Sequence, residues 1–269
     1  MHFATWGVGA NHLLALHGFG RTHRDFLRFT RPLNAYFRIH AADIFFHGES
    51  IVERENPDEN PIEIQEWIDF VNAFLDELGV DKVWLMGYSL GGRLCQVIAE
   101  HLPHRVGGLY LLAPDGLIVN RWYALFSHYS AGRSLFRFFK RRPAWFFRSL
   151  WALRKANIVS ERTADFVREE VGSAEGQERV YMVWCFLRKL EPNHKALAEG
   201  LSANQVSLDL YFGMYDRIIR PAQADKLCKY YLAARLHMLR SGHFLLTAAN
   251  GIRIVRDDII QLPANDAVS

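Results

Sequence analysis

Apolar positions along this chain follow two alternating patterns. Short unbroken runs at His12–Leu16, Phe37–Ala41, Val83–Met86, Gly108–Leu112, Val206–Phe212 and Arg235–Leu239 are rich in Leu, Val, Ile and aromatic residues and poor in charge. Such runs predict strands buried on both faces, as in a parallel sheet. Between them apolar residues recur at helical spacing. The clearest stripe is Ile64, Trp67, Ile68, Val71, Phe74, Leu75 and Leu78, which predicts an amphipathic helix over Glu63–Leu78. Asn60 as N-cap, Pro61 in the first turn and Glu63 three residues after the cap predict its start, and Gly79 its end. Strands alternating with helices predict βαβ units and an α/β fold with a doubly wound, mostly parallel sheet.

The alternation stops after "LLAPDG" at 111–116. Residues 117–202 carry helical patterns only, and strand–helix alternation resumes at Val206. The prediction is one core formed by 1–116 and 203–269, interrupted by a helical cap (lid) insertion at 117–202.

Composition narrows the class. The chain has 269 residues, 50% hydrophobic and 13% aromatic, with a formal charge of +3. That supports a sizeable core and argues against wholesale disorder or general nucleic-acid binding. Cys95, Cys185 and Cys228 are far apart and odd in number, which fits neither a zinc site nor a disulfide framework. The first twenty residues lack the pattern of a secretory leader, and no apolar run approaches the ~18 residues of a membrane span. A cytoplasmic enzyme without metal or cofactor is expected. "GVGAN" at 7–11 precedes a strand instead of following one, so it predicts no dinucleotide site. His101 and His104 lack nearby acidic ligands, Cys95 reads as packing, and the acidic stretch from Glu49 to Glu66 reads as a solvated loop and helix start.

In open parallel sheets, ligands bind beyond the carboxyl ends of the strands. Those ends hold "HGFG" at 17–20, Asp43, "GYSLGG" at 87–92, "APDG" at 113–116, Asp216 and His243. Ser89 fits G-x-S-x-G, in which a sharp strand-to-helix turn lifts a hydroxyl clear of the sheet and flanking glycines relieve close backbone contacts. Ser89, Asp216 and His243 each follow a predicted strand. The serine is the expected nucleophile, His243 its general base and Asp216 the group that holds the imidazole tautomer. A base that must be neutral predicts loss of activity below roughly pH 6.

This constellation resembles the α/β-hydrolase family, and the resemblance covers the chain apart from the insertion. It implies that the backbone N–H of Phe19, after His17-Gly18, and that of Leu90 form the oxyanion hole. The family's D-x-x-G-x-G-x-S stretch is matched by "DIFFHGES" at 43–50, except that Phe46 stands where the first glycine would be. Gly213, Asp216 and Pro221 match the family's acid segment, and Asp115 occupies the position used by the acid in other relatives.

A serine at this turn points to a carboxylic ester or thioester as substrate, a small or medium acyl group. The elbow also resembles that of the cyclohexadiene-carboxylate synthase of menaquinone biosynthesis. There the residues matching Tyr88 and Arg93 help hold a polyanionic substrate, which leaves a lyase as the alternative. A non-catalytic binding protein on the same fold is a second alternative. The insertion is expected to set substrate choice. Residues 116–160 hold nine Lys or Arg, no Asp or Glu, and eleven aromatics. Phe136, Phe139, Trp145 and Phe146 are the expected apolar substrate contacts. Nucleic acid is not expected as a partner. The basic residues leave open solvation, an anionic substrate, or peripheral contact with an anionic membrane.

Overall fold

The computed structural model describes residues 1–156, 158–159 and 172–254, so residues 160–171 of the predicted insertion lie outside the described residues. The chain divides into two compact units. One takes in Met1–Ile51, Ile64–Ile118 and the chain from Glu191 onward; the other takes in Val52–Glu63 and Val119–Leu190.

The first unit is built on seven strands: β1 Phe3–Trp6, β2 Asn11–Leu16, β3 Phe37–Ala42, β4 Val83–Tyr88, β5 Val106–Leu112, β6 Ser207–Gly213 and β7 Arg235–Leu239. Their order in the sheet is β1-β3-β2-β4-β5-β6-β7, with β1 antiparallel to β3 and every other neighbour parallel. All six expected strands are present. The seventh, β1, is a four-residue half-buried edge strand whose "FATW" is too short to show a period.

Helices α1 Arg24–Phe29, α2 Ile64–Glu77 and α3 Leu90–His101 lie between strands. The α2 stripe buries Trp67, Ile68, Val71 and Leu75, as its periodicity requires. It begins at Ile64, so Asn60 is not its cap; the Asn60 N–H instead donates to the Asn56 carbonyl in a preceding turn. A core of Leu13, Phe26, Phe29, Phe37, Ile39, Met86, Tyr110 and Leu112 fills one side of the sheet, where α1 packs.

The second unit is helical: α4 Arg121–His128, α5 Ser130–Arg141, α6 Pro143–Lys155 and α7 Ala174–Phe186. Phe136 is the centre of its core, with ring centroids of Tyr181, Phe126 and Trp184 at 5.2, 5.7 and 6.1 Å. Two boundaries differ from the sequence reading. Helix α8 His194–Ala203, counted there with the insertion, belongs to the first unit and packs on α3. The segment Val52–Glu63, counted there with the core, belongs to the second unit. Its acids are not simply solvated: Glu59 takes Arg137 at 2.7 Å and Arg133 at 3.3 Å, and Asp58 accepts the Tyr181 hydroxyl at 2.8 Å.

Candidate active site

The whole turn from β4 to α3 rests on one residue. Ser89 has φ 51° and ψ −116°, a conformation that costs a non-glycine residue about 1–3 kcal/mol. Its backbone is held on both sides. The Ser89 N–H donates to the Leu112 carbonyl at 2.9 Å, and the Ser89 carbonyl accepts from Gly92 at 2.8 Å and Asp115 at 2.9 Å. Such close passage demands glycine. A Cβ on Gly91 would lie 1.9 Å from the Leu16 carbonyl oxygen, and one on Gly87 would lie 2.5 Å from the Gly92 Cα.

His243 and Asp216 come from the loops after β7 and β6. Asp216 is fixed first: its Oδ1 accepts the N–H groups of Ile218 and Ile219 at 2.8 and 3.0 Å. Its Oδ2 lies 2.8 Å from His243 Nδ1. An ionised carboxylate only accepts, so His243 Nδ1 carries the hydrogen and the neutral ring turns the Nε2 lone pair outward. Nε2 lies 3.2 Å from Ser89 Oγ. Hydroxyl, imidazole and carboxylate thus form one hydrogen-bonded line, an arrangement able to draw a proton from the serine. The Asp115 carboxylate takes no part in this line: its Oδ2 lies 3.6 Å from the Arg93 Nε.

The 17–20 loop runs against this turn, since a Cβ on Gly18 would sit 3.1 Å from the Ser89 Cβ. Phe19 follows Gly18 directly, and Leu90 is the first residue of α3, where helix N–H groups have no intrahelical partner. Two histidines unused by the sequence reading fix the loop. The Ile44 N–H donates to His17 Nε2 at 3.0 Å, which leaves His17 Nδ1–H to donate to the Gly18 carbonyl at 2.7 Å. The Gly20 N–H donates to His47 Nε2 at 2.9 Å, and His47 Nδ1–H donates to the Phe45 carbonyl at 2.9 Å. Both rings act through the neutral form. Burial, and next the neighbouring His47, hold His17 down to about 3.

Asp43 anchors the same loops from beneath. Fully buried, it accepts from the His23 N–H and ring at 2.8 and 2.9 Å and from the Glu49 N–H at 2.9 Å. Burial works to raise its pKa, but these hydrogen bonds outweigh it and hold the carboxyl below its ordinary range. Gly48, at φ 54°, leaves room for it: a Cβ there would meet Asp43 Oδ2 at 2.0 Å. Phe46 takes φ 64°, so this loop keeps a left-handed, glycine-like backbone although Phe replaces glycine. Among the described residues, His2, His23 and Asp43 form a group whose ligand atoms could approach a metal ion together. The Asp43 oxygens are already engaged by backbone and ring donors, which fits a structural role better than a metal site.

The remaining predicted contacts divide between the units. Tyr88 is buried, with its ring 5.4 Å from that of His243, and burial pushes its hydroxyl pKa up. Arg93 is buried on α3, its side chain passing Gly116 toward Asp115. Phe136, Phe139, Trp145 and Phe146 are in the second unit. Phe136 is buried in its core, Phe139 and Phe146 meet edge to face at 5.7 Å, and Trp145 is 53% exposed.

Residues 11–247 match the alpha/beta hydrolase fold family, and the chain belongs to it. Relatives align over part of the chain. A dihydrolipoyllysine-residue acetyltransferase component of an acetoin cleaving system from Pseudomonas putida is 36% identical over 116 residues, 43% of this chain and 30% of that protein. A pimeloyl-[acyl-carrier protein] methyl ester esterase from Vibrio campbellii is 31% identical over 113 residues, 42% of this chain and 40% of that protein. The chain therefore spans well under half the length of these relatives. A thermophilic esterase from Thermogutta terrifontis shares the fold with a TM-score of 0.64 at 18% identity, over 96% of this chain and 91% of that one.

Proposed function

We propose that the protein is a serine hydrolase that cleaves a small or medium carboxylic ester or thioester. The observation that carries this reading is the unbroken hydrogen-bonded line from Ser89 through His243 to Asp216. The Ser89 oxygen attacks the acyl carbon as its proton passes to His243 Nε2, and the resulting imidazolium is stabilised by Asp216. The N–H groups of Phe19 and Leu90 receive the oxyanion, each worth roughly 2.7–4 kcal/mol in sites of this kind. Collapse of the tetrahedral adduct breaks the bond to the alcohol or thiol, which leaves with the proton from His243. Water, deprotonated by the same ring, then releases the acid and restores the serine. The step sequence needs no metal or cofactor.

The esterase named for the relative from Vibrio campbellii agrees with this class of reaction. The substrate contact we assign in the first unit is Tyr88, beside the His243 ring.

The test is fluorophosphonate labelling followed by a panel of nitrophenyl esters of increasing chain length. A single adduct on Ser89, and turnover lost in Ser89→Ala, are expected. An unlabelled Ser89 in folded protein overturns the reading.

A further inference from the structure

Helix α6 carries two faces that a helix of a purely internal kind would not have. Phe146, Phe147, Leu150 and Leu153 pack inward with Trp122 and Val159. On the other side Trp145, Arg148, Trp151 and Lys155 follow at spacings of three, three and four, so they fall on one stripe. Trp145 is 53% and Trp151 57% exposed, and Arg148 and Lys155 are exposed beside them. The Lys155 ammonium lies 5.3 Å over the Trp151 ring. Two further exposed cations, Arg141 and Arg142, stand where α5 ends and α6 begins. The neighbouring α5 exposes Leu135 and Phe138 in addition.

The acids of this unit at Asp58, Glu59 and Glu178 are engaged by Arg133, Arg137 and Lys140. Among the described residues, Arg141, Arg142, Arg148 and Lys155 have no acid paired with them, and no Asp or Glu occurs from Arg121 through Lys155. A stripe that is both aromatic and cationic needs an opposite surface that is apolar inside and anionic outside.

We propose that this face of α6 docks the protein on an anionic lipid bilayer. Tryptophan rings belong at the headgroup level, apolar side toward the acyl chains, and flanking Lys and Arg reach the phosphates with stems laid along the surface. Attachment is peripheral, since no helix among the described residues is long and apolar enough to cross a membrane. A second copy of the chain would bring cation against cation on this stripe. Single-stranded nucleic acid is bound in grooves with stacking platforms, whereas this stripe runs along the outside of a helix whose neighbour exposes aliphatic Leu135. The proposal does not rest on ester hydrolysis.

The experiment is co-sedimentation of the full chain, and of its Ser89→Ala variant, with vesicles of phosphatidylcholine alone or of equal parts phosphatidylcholine and phosphatidylglycerol. Both proteins should sediment with the anionic vesicles and stay in solution with the neutral ones. Molar salt should weaken the binding strongly. Arg148→Glu and the double variant Trp145→Ala, Trp151→Ala should each lose at least about ten-fold in vesicle affinity, with unchanged helical circular dichroism. Lys195→Glu, the same charge reversal at an exposed position of α8, should bind like the parent. Equal binding to both vesicle types, or full binding by the tryptophan variant, overturns the proposal. So does tighter capture of a single-stranded oligonucleotide, or a dimer in sedimentation that the tryptophan variant loses.

Discussion

Asp43 in the first unit and the pair Asp58–Glu59 in the second all tie loops together, but in different ways. Asp43 is fully buried, and its donors at His23 and Glu49 lie 20 and 6 residues away. Asp58 and Glu59 are partly exposed, and their partners Arg133, Arg137, Tyr181 and Arg188 lie 74 to 130 residues away. Hydrogen bonds inside a dry loop cluster are strong and indifferent to salt, whereas half-exposed ion pairs are weak and screened. The first unit is therefore held by a few saturated polar groups set in an apolar sheet. The second is held by rings packed edge to face around Phe136, with charge adding register.

The largest test of that contrast is in turnover. Asp216→Asn keeps the shape of the first unit but removes the acceptor that fixes the His243 tautomer, so nitrophenyl ester kcat should fall about 10⁴-fold with little change in Tm. A drop under ten-fold would mean that the line from Asp216 to Ser89 is not the working one.

Next in size is acid. His17, held down to about 3 by burial, takes up a proton more readily unfolded than folded. Its contribution is complete above pH 6.5, the ordinary histidine value, and is lost as pH falls toward 3, by about 1.4 kcal/mol for each unit crossed. His40, held down to about 4 by burial beside His12, acts in the same direction. Urea midpoints for the first unit, followed by hydrogen exchange in β2 and β3, should fall between pH 7 and pH 5. A flat profile would remove neutral histidines from the account.

Replacing the buried anchor comes third. Asp43→Asn leaves one of several donors without a good acceptor, and should cost about 1–3 kcal/mol, read as a lower urea midpoint. The smallest effect belongs to the second unit. Glu59→Gln should lower protection of α5 amides by no more than about 1 kcal/mol, and molar salt should have the same effect on the parent. Equal salt sensitivity in β4 and α5 would abolish the distinction between the units.

Legibility in the sequence follows the same divide. The five inner strands and α2 are visible because burial on both faces, or on one stripe, leaves a periodic mark, and β7 shows as a short apolar run although it is the opposite, half-exposed edge. Ser89, Asp216 and His243 stand out because each follows such a strand. The edge strand β1 escapes because four half-buried residues hold no period. His17 and His47 escape as loop anchors because a neutral ring accepting a backbone N–H has no sequence signature beyond proximity. The acids of Val52–Glu63 look solvated in one dimension, since their arginines are distant in the chain. The helix α8 joins the first unit by its packing on α3, a tertiary fact that its own residues do not announce.

The backbone of Ser89 has a consequence for anyone evolving this protein. At φ 51° the residue most easily seated there is glycine, which would relieve a cost of about 1–3 kcal/mol while deleting the hydroxyl. A library ranked by survival of heating alone would therefore enrich Ser89→Gly and return sturdier molecules without the hydroxyl that the proposed reaction uses. Thermal selection on this scaffold has to be coupled to catalysis in every round, because at this one position robustness and chemistry are rival phenotypes.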